Sequence, residues 1–116
     1  MTAQADGSFR AQLDDHPPCT LPPMLGRLLG LLAENSGKTI EGDPLVGFKS
    51  NGWLQYRLDE YARIHWNKLP SRSRRSNRLN QALFELRRRM SRVCADGELL
   101  VQVRRGEGYR LAVRRP

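Results

Sequence analysis

Residues 104–111 read RRGEGYRL, and two incompatible structures can be written for them. Gly106 and Gly108 either line a loop that cradles a nucleotide phosphate or form the tip of a β-hairpin. A phosphate loop needs a strand before it and a helix after it, because the helix N-terminus supplies free N–H groups and a positive pole. The following residues, YRLAVRRP, offer no such helix, and no Gly-Lys-Ser/Thr is present. Both flanks instead alternate with a period of two. Val101 and Val103 alternate with Gln102 and Arg104. Tyr109, Leu111 and Val113 alternate with Arg110, Ala112 and Arg114. The stretch therefore predicts a hairpin over 99–114, with glycine where the reversal needs positive φ.

Working back from the hairpin, CADGE is a turn, and NRLNQALFELRRRMSRV before it predicts a helix over 77–93. Leu79, Leu83, Leu86, Met90 and Val93 form its apolar stripe, and Ser76 or Asn77 can cap it. At 100° per residue the opposite face carries Asn77, Gln81, Phe84, Glu85, Arg88 and Arg92. NKLPSRSRRSN reads as an exposed basic connection. A second helix is expected in WLQYRLDEYARIHW, with Leu54, Leu58, Tyr61, Ala62 and His65 on one side. TIEGDPLVGFKSNG reads as loop with at most one turn of helix. TLPPMLGRLLGLLAENSGK predicts the first helix, capped near Thr20 and ended by Asn35–Gly37. Its apolar face is Leu21, Leu25, Leu28, Leu29 and Leu32, and Gly26 and Gly30 leave room for another element to pack closely. SFRAQLD suits a short strand. Residues 1–8 read as a flexible tail.

The chain has 116 residues, which suits one domain over 9–116 with a single modest core. Charge is unevenly spread. Residues 1–67 carry 6 basic and 8 acidic side chains, a net −2, whereas residues 68–116 carry 14 and 4, a net +10. Such asymmetry points to a polyanionic partner, with a merely basic soluble protein as the plain alternative. Cys19 and Cys94 are the only cysteines, too few for a disulfide framework and at no zinc spacing. No apolar run approaches the ~20 residues of a membrane span. The polar N-terminus lacks the layout of a signal peptide, so a cytoplasmic protein is expected.

No catalytic site is legible. His16 precedes two prolines, His65 falls on an apolar helix face, and no nucleophile–base pair or metal spacing exists. No cofactor, metal or small-molecule substrate is expected. The 77–93 helix is chemically more specific. Gln81 and Arg88 carry the groups that read adenine and guanine in bidentate fashion, and Phe84 suits a thymine methyl. A solvated polar face is the plain alternative. A large aromatic on the outward side speaks against it, although Phe84 equally suits a partner protein.

FELRRRM followed by LLVQVRRGEGYRL resembles the end of the OmpR-type winged-helix DNA-binding domain, whose recognition helix has a Leu-Arg run and whose hairpin reads VRGxGYRL. TLPPMLGRLLGLLAENSGKTI is similar to that family's first helix. The resemblance covers 9–40 and 77–113. It implies an α+β winged helix-turn-helix: three helices, a short N-terminal strand region and a C-terminal β-hairpin wing. It also implies a helix over 77–93 in the major groove and a wing over 99–114 on the backbone and minor groove. By position it places Arg78, Asn80, Gln81, Glu85 and Arg88 near DNA in the helix, and Arg105 and Arg110 in the wing. Rotation puts Asn80 at the edge of the face. Arg87 matches an arginine that serves structure or phosphate.

The expected DNA-binding set is thus Arg75, Asn77, Arg78, Gln81, Glu85, Arg88, Arg92, Arg105 and Arg110, with Phe84 as a contact for a partner. Two departures stand out. The region at about 41–76 is enlarged, and Glu107 places a carboxylate at the wing tip. No phospho-receiver domain is present, so a stand-alone DNA-binding protein or an excised domain is expected. The function expected is a sequence-specific regulator of transcription on double-stranded DNA, cytoplasmic and associated with the bacterial nucleoid, acting as a homodimer or with the transcription machinery. The alternative is a protein-interaction module in a larger complex, anchored by Phe84, Trp53 and Trp66.

Overall fold

The computed structural model describes residues 2–3, 8–11, 19–66, 72–93 and 100–113. Among these the fold is a small α+β domain with three helices and two antiparallel sheets. The first sheet has the order β1 (Thr2–Ala3), β2 (Phe9–Ala11), β3 (Cys19–Leu21), with Phe9 opposite Leu21 and Thr2 opposite Arg10. The strand expected in SFRAQLD is present. The stretch expected to be a tail differs: Thr2 and Ala3 pair with β2, and Ser8 is buried. An exposed strand edge offers unpaired N–H and C=O groups, and these two residues take them up.

Helix α1 (Pro23–Ala33) starts later than its leucines indicate. Thr20 and Leu21 belong to β3, and Pro22 stands at the N-cap without a side-chain cap, so the expected Thr20 cap is absent. The prolines fit because the first turn has no use for their missing N–H. The helix also ends earlier: Glu34 is already extended, and Gly37 lies beyond the terminus. Leu25, Leu28, Leu29, Leu31 and Leu32 are all buried. The helix is therefore covered on nearly every side, as the central element, and is not amphipathic with one stripe. A β-carbon on Gly26 would overlap the Phe9 ring, which is the close packing expected of this glycine.

Helix α2 (Asn51–Trp66) buries Leu54, Leu58 and Ala62. His65 does not join them: it is exposed and stacks on Tyr61, ring centroids 4.2 Å apart. Helix α3 (Arg72–Val93) begins five residues before the expected start at 77. Arg72–Ser76 holds neither glycine nor proline and three arginines, good helix formers, so nothing local stops the helix at Asn77. Ser76 and Asn77 consequently lie inside it and are not caps. Leu79, Ala82, Leu83, Leu86 and Met90 face the core. Val93, like Cys94 and His16, falls outside the described side chains.

The hairpin is present as β4 (Val101–Arg104) and β5 (Gly108–Leu111), with Val101 opposite Leu111 and Gln102 opposite Arg110. Gly106 and Gly108 adopt φ of +83° and +107°. The loop after α1 is more ordered than its glycines and proline imply. Lys38 bridges to Phe48, and Lys49 exchanges two backbone hydrogen bonds with Tyr109 at 2.7 and 2.9 Å. Residues 46–49 thereby run beside β5, with the Val46 amide donating to the Val113 carbonyl at 3.1 Å.

Lys49 ties this loop to α1. Its side chain is fully buried, and its Nζ donates to the carbonyl oxygens of Leu32, at 3.1 Å, and Glu34. These are the orphan acceptors of a helix C-terminus, where the macrodipole favours a cation. Burial pushes the pKa of the Lys49 ammonium down, and the Glu34 carboxylate offsets part of that. No helix of the described residues is long and apolar enough to cross a membrane.

Candidate functional site

Helix α3 and strand β4 wall a groove of about 1160 Å³. Its helix side is Phe84, Arg87 and Arg88. Its hairpin side is Val101 to Arg104, with Phe48 and Arg110 behind. The helical period places this side of α3 outward, because the apolar positions from Leu79 to Met90 are consumed by the core. Asn77, Arg78, Asn80, Gln81, Phe84, Arg88 and Arg92 are all exposed, and Glu85 is half-buried. The outward face derived by rotation is thus the solvent face, Asn80 included. Arg75 falls outside the described side chains.

Each arginine along the groove has a distinct environment. Arg87 bridges the two walls, its Nη2 donating to the Val101 carbonyl at 3.3 Å. That contact gives it a structural role. Arg88 is paired within the helix, with Nη2 at 2.6 Å from Glu85 Oε1, and Arg89 Nε approaches the same carboxylate at 3.6 Å. Glu85 and Arg88, both expected to read a partner, therefore occupy each other in the free protein. Such half-exposed pairs are worth only about 0.2–1 kcal/mol, so exchange for a ligand is cheap.

Arg110 is the correction. Sequence reading places it on the surface of the hairpin, but it is 8% exposed. Its Nη1 lies 2.5 Å from Asp43 Oδ2, and its Nε donates to Gln102 Oε1 at 2.7 Å. The guanidinium also sits over the Phe48 ring, 4.4 Å from its centroid. Strand alternation sends Arg110 to the face opposite Leu111, and the loop carrying Asp43 and Phe48 covers that face as well. With Nε and Nη1 engaged and little of the side chain exposed, Arg110 fastens the loop to the hairpin.

The hairpin tip keeps Arg105 exposed, and among the described residues it forms no ion pair. Arg104 is half-exposed, 3.4 Å from Glu107 Oε2, and Lys38 reaches Glu107 Oε1 at 3.3 Å. Partial burial pushes the Glu107 carboxyl up, but its hydrogen bonds and charge interactions with Lys38 and Arg104 outweigh this and leave its pKa below the usual value. The carboxylate at the tip is thus a bridge between two cations. Sequence reading missed Lys38, Asp43 and Phe48. Their only local signal is a loop, and the hairpin side chains they meet here, Glu107 for Lys38 and Arg110 for Asp43 and Phe48, lie more than fifty residues away in the chain.

Trp53, offered with Phe84 as an anchor, packs partly buried against the core, with the Arg57 guanidinium 5.1 Å from its ring centroid. Trp66 falls outside the described side chains. Phe84 is 67% exposed. Comparison of the chain with family models, with curated proteins and with solved structures finds no match.

Proposed function

We propose that this chain is a sequence-specific DNA-binding protein of winged-helix architecture that regulates transcription. Helix α3 enters the major groove, and the β4–β5 hairpin acts as the wing on the backbone and the adjacent minor groove. The observation that carries this reading is the groove itself. A helix face bearing Phe84 and Arg88 and a hairpin strand bearing Arg104 flank one channel, with Gln81 one turn before Phe84 on the same helix face and Arg105 next to Arg104 at the hairpin tip; the half of the chain from residue 68 holds the net +10. A helix of this kind reads base edges, and a neighbouring basic hairpin contacts phosphate.

Roles divide by chemistry. Arg88 offers a guanidinium fork to guanine and Gln81 an amide to adenine. Arg78, Arg92, Arg104 and Arg105 supply phosphate contacts, whose released counterions make affinity fall with salt. Arg110 drops out of the set. A second copy of the chain, or the transcription machinery, would raise the weak affinity of one small module.

Anisotropy of labelled duplex DNA at two salt concentrations tests the reading. Arg105→Ala is expected to weaken binding to all sequences and to flatten the salt dependence by about one unit of slope. Arg88→Ala is expected to cost about 1–3 kcal/mol and to relax sequence preference. Absence of binding at low salt, in protein shown to be folded by circular dichroism, rejects the proposal. The exposure of Phe84 would then favour a protein-interaction module.

Glu107→Gln provides a gain-of-function check. Freeing Lys38 and Arg104 is expected to tighten binding about two- to fivefold at low salt and to steepen the salt dependence. Unchanged affinity and slope would show that neither cation reaches phosphate.

A further inference from the structure

The groove combines two properties that rarely share a surface. Its rim is cationic, through Arg88 and Arg104, while Phe84 and Val103, 67% and 56% exposed, line it with apolar surface. On α3 the phenyl ring stands one turn after Gln81 and one turn before Arg88, in the middle of the outward polar face. Cations draw a polyanion into this channel. Desolvating Phe84 against it is favourable only if some part of the polyanion is apolar. Along the major-groove edge of a duplex, base pairs present donors and acceptors and one apolar group, the 5-methyl of thymine. Methylated cytosine carries the same group on the same ring carbon.

We propose that Phe84 forms a subsite for a 5-methylpyrimidine in the major groove, closed on its outer side by Val103 on the flank of β4 that faces α3, while the hairpin tip beyond it reaches the backbone. Arg104 holds a phosphate beside that nucleotide, Arg88 keeps its fork for the neighbouring base, and the methyl group is removed from water against the phenyl ring. The proposal rests on the DNA-binding reading and adds to it a position at which a methyl group decides affinity. Gln81 and Arg88 specify their bases by hydrogen bonds; Phe84 specifies by burial and is indifferent to the rest of the pyrimidine edge.

Duplexes selected by the full chain from a random-sequence pool supply the probe. The selected sequence is resynthesised with deoxyuridine replacing thymidine at one position at a time. At one or two positions loss of the methyl is expected to weaken binding about fourfold, the worth of one buried carbon. Phe84→Ala is expected to bind the two duplexes equally, and Phe84→Leu to keep part of the preference. Val103→Thr, similar in shape but polar, is expected to reduce it. Phe84 is exposed, so these variants are expected to melt like the parent. At the sensitive position a cytosine–guanine pair with and without the 5-methyl group separates the two sources. Recovery with methylcytosine means that both are accepted; recovery with thymine alone means that a further group on the base is read.

Selected duplexes whose affinity is insensitive to every thymine methyl overturn the proposal while leaving DNA binding intact. Retention of methyl discrimination by Phe84→Ala does the same. Failure to select any duplex, with no salt-sensitive binding, removes the DNA-binding reading and this subsite together.

Discussion

Asp43→Asn is expected to lower the free energy of unfolding by about 3 kcal/mol, as removal of one partner does for a buried ion pair. The Arg110 guanidinium is nearly sealed from water, and the Asp43 carboxylate 2.5 Å away supplies its neutralising charge. Asparagine can still accept from the Leu45 amide, which Asp43 Oδ1 now does at 2.9 Å, so the local turn is preserved. What remains is a buried cation whose contacts among the described residues include Gln102 and the Phe48 ring but no neutralising charge. The double variant Asp43→Leu/Arg110→Met is expected to recover much of the loss, because apolar groups of similar volume need no neutralising partner. Urea titrations of Asp43→Leu, Arg110→Met and the double give the coupling energy. A loss below about 1 kcal/mol for Asp43→Asn would class the pair with ordinary surface bridges and return Arg110 to the candidate interface.

Gly108→Ala is expected to cost at least about 3 kcal/mol, the sum of a backbone held at a φ that L-residues avoid and a collision. Gly108 has φ +107°, and a β-carbon there would overlap the Lys49 carbonyl. That oxygen cannot withdraw freely, since it accepts the Tyr109 amide at 2.9 Å in the two-bond bridge that seats the hairpin on the loop. Gly106→Ala is the internal control. Its φ is +83° and a β-carbon would meet open space, so only the left-handed penalty of about 1–2 kcal/mol applies. Denaturation midpoints at constant m-value measure both. Equal losses at the two positions would mean that the close approach to Lys49 contributes nothing.

These two predictions mark where the sequence speaks clearly and where it does not. Both glycines were legible as the tip of a hairpin, since alternating residues flank them. That Gly108 also serves a contact with Lys49 was not legible, because the other party lies 59 positions away and gives no periodic signal. The outward face of α3 was legible by rotation alone: one stripe of leucines fixes the inside, so Gln81, Phe84 and Arg88 must be outside. The same logic failed on α1. Its leucines were read as one stripe, yet the helix is wrapped by β2, β3, α2, α3 and β5. A stripe shows that one side is buried, not that the other side is free.

The sequence by itself determined the three helices, the strand at Phe9–Ala11, the hairpin, the solvent face of α3 and the concentration of charge in the second half of the chain, but not β1 or β3. These follow from local periodicity, turn chemistry and composition, each readable within a window of a few turns. Only the tertiary structure decided which cations remain available. Arg105 and Arg110 are alike on paper, five residues apart in one hairpin. One stays in water, and the other is neutralised by a carboxylate 67 residues earlier in the chain. The physical reason is that a side chain's charge state and partners depend on which distant loop is folded over it, whereas strand alternation reports only which of two faces it occupies.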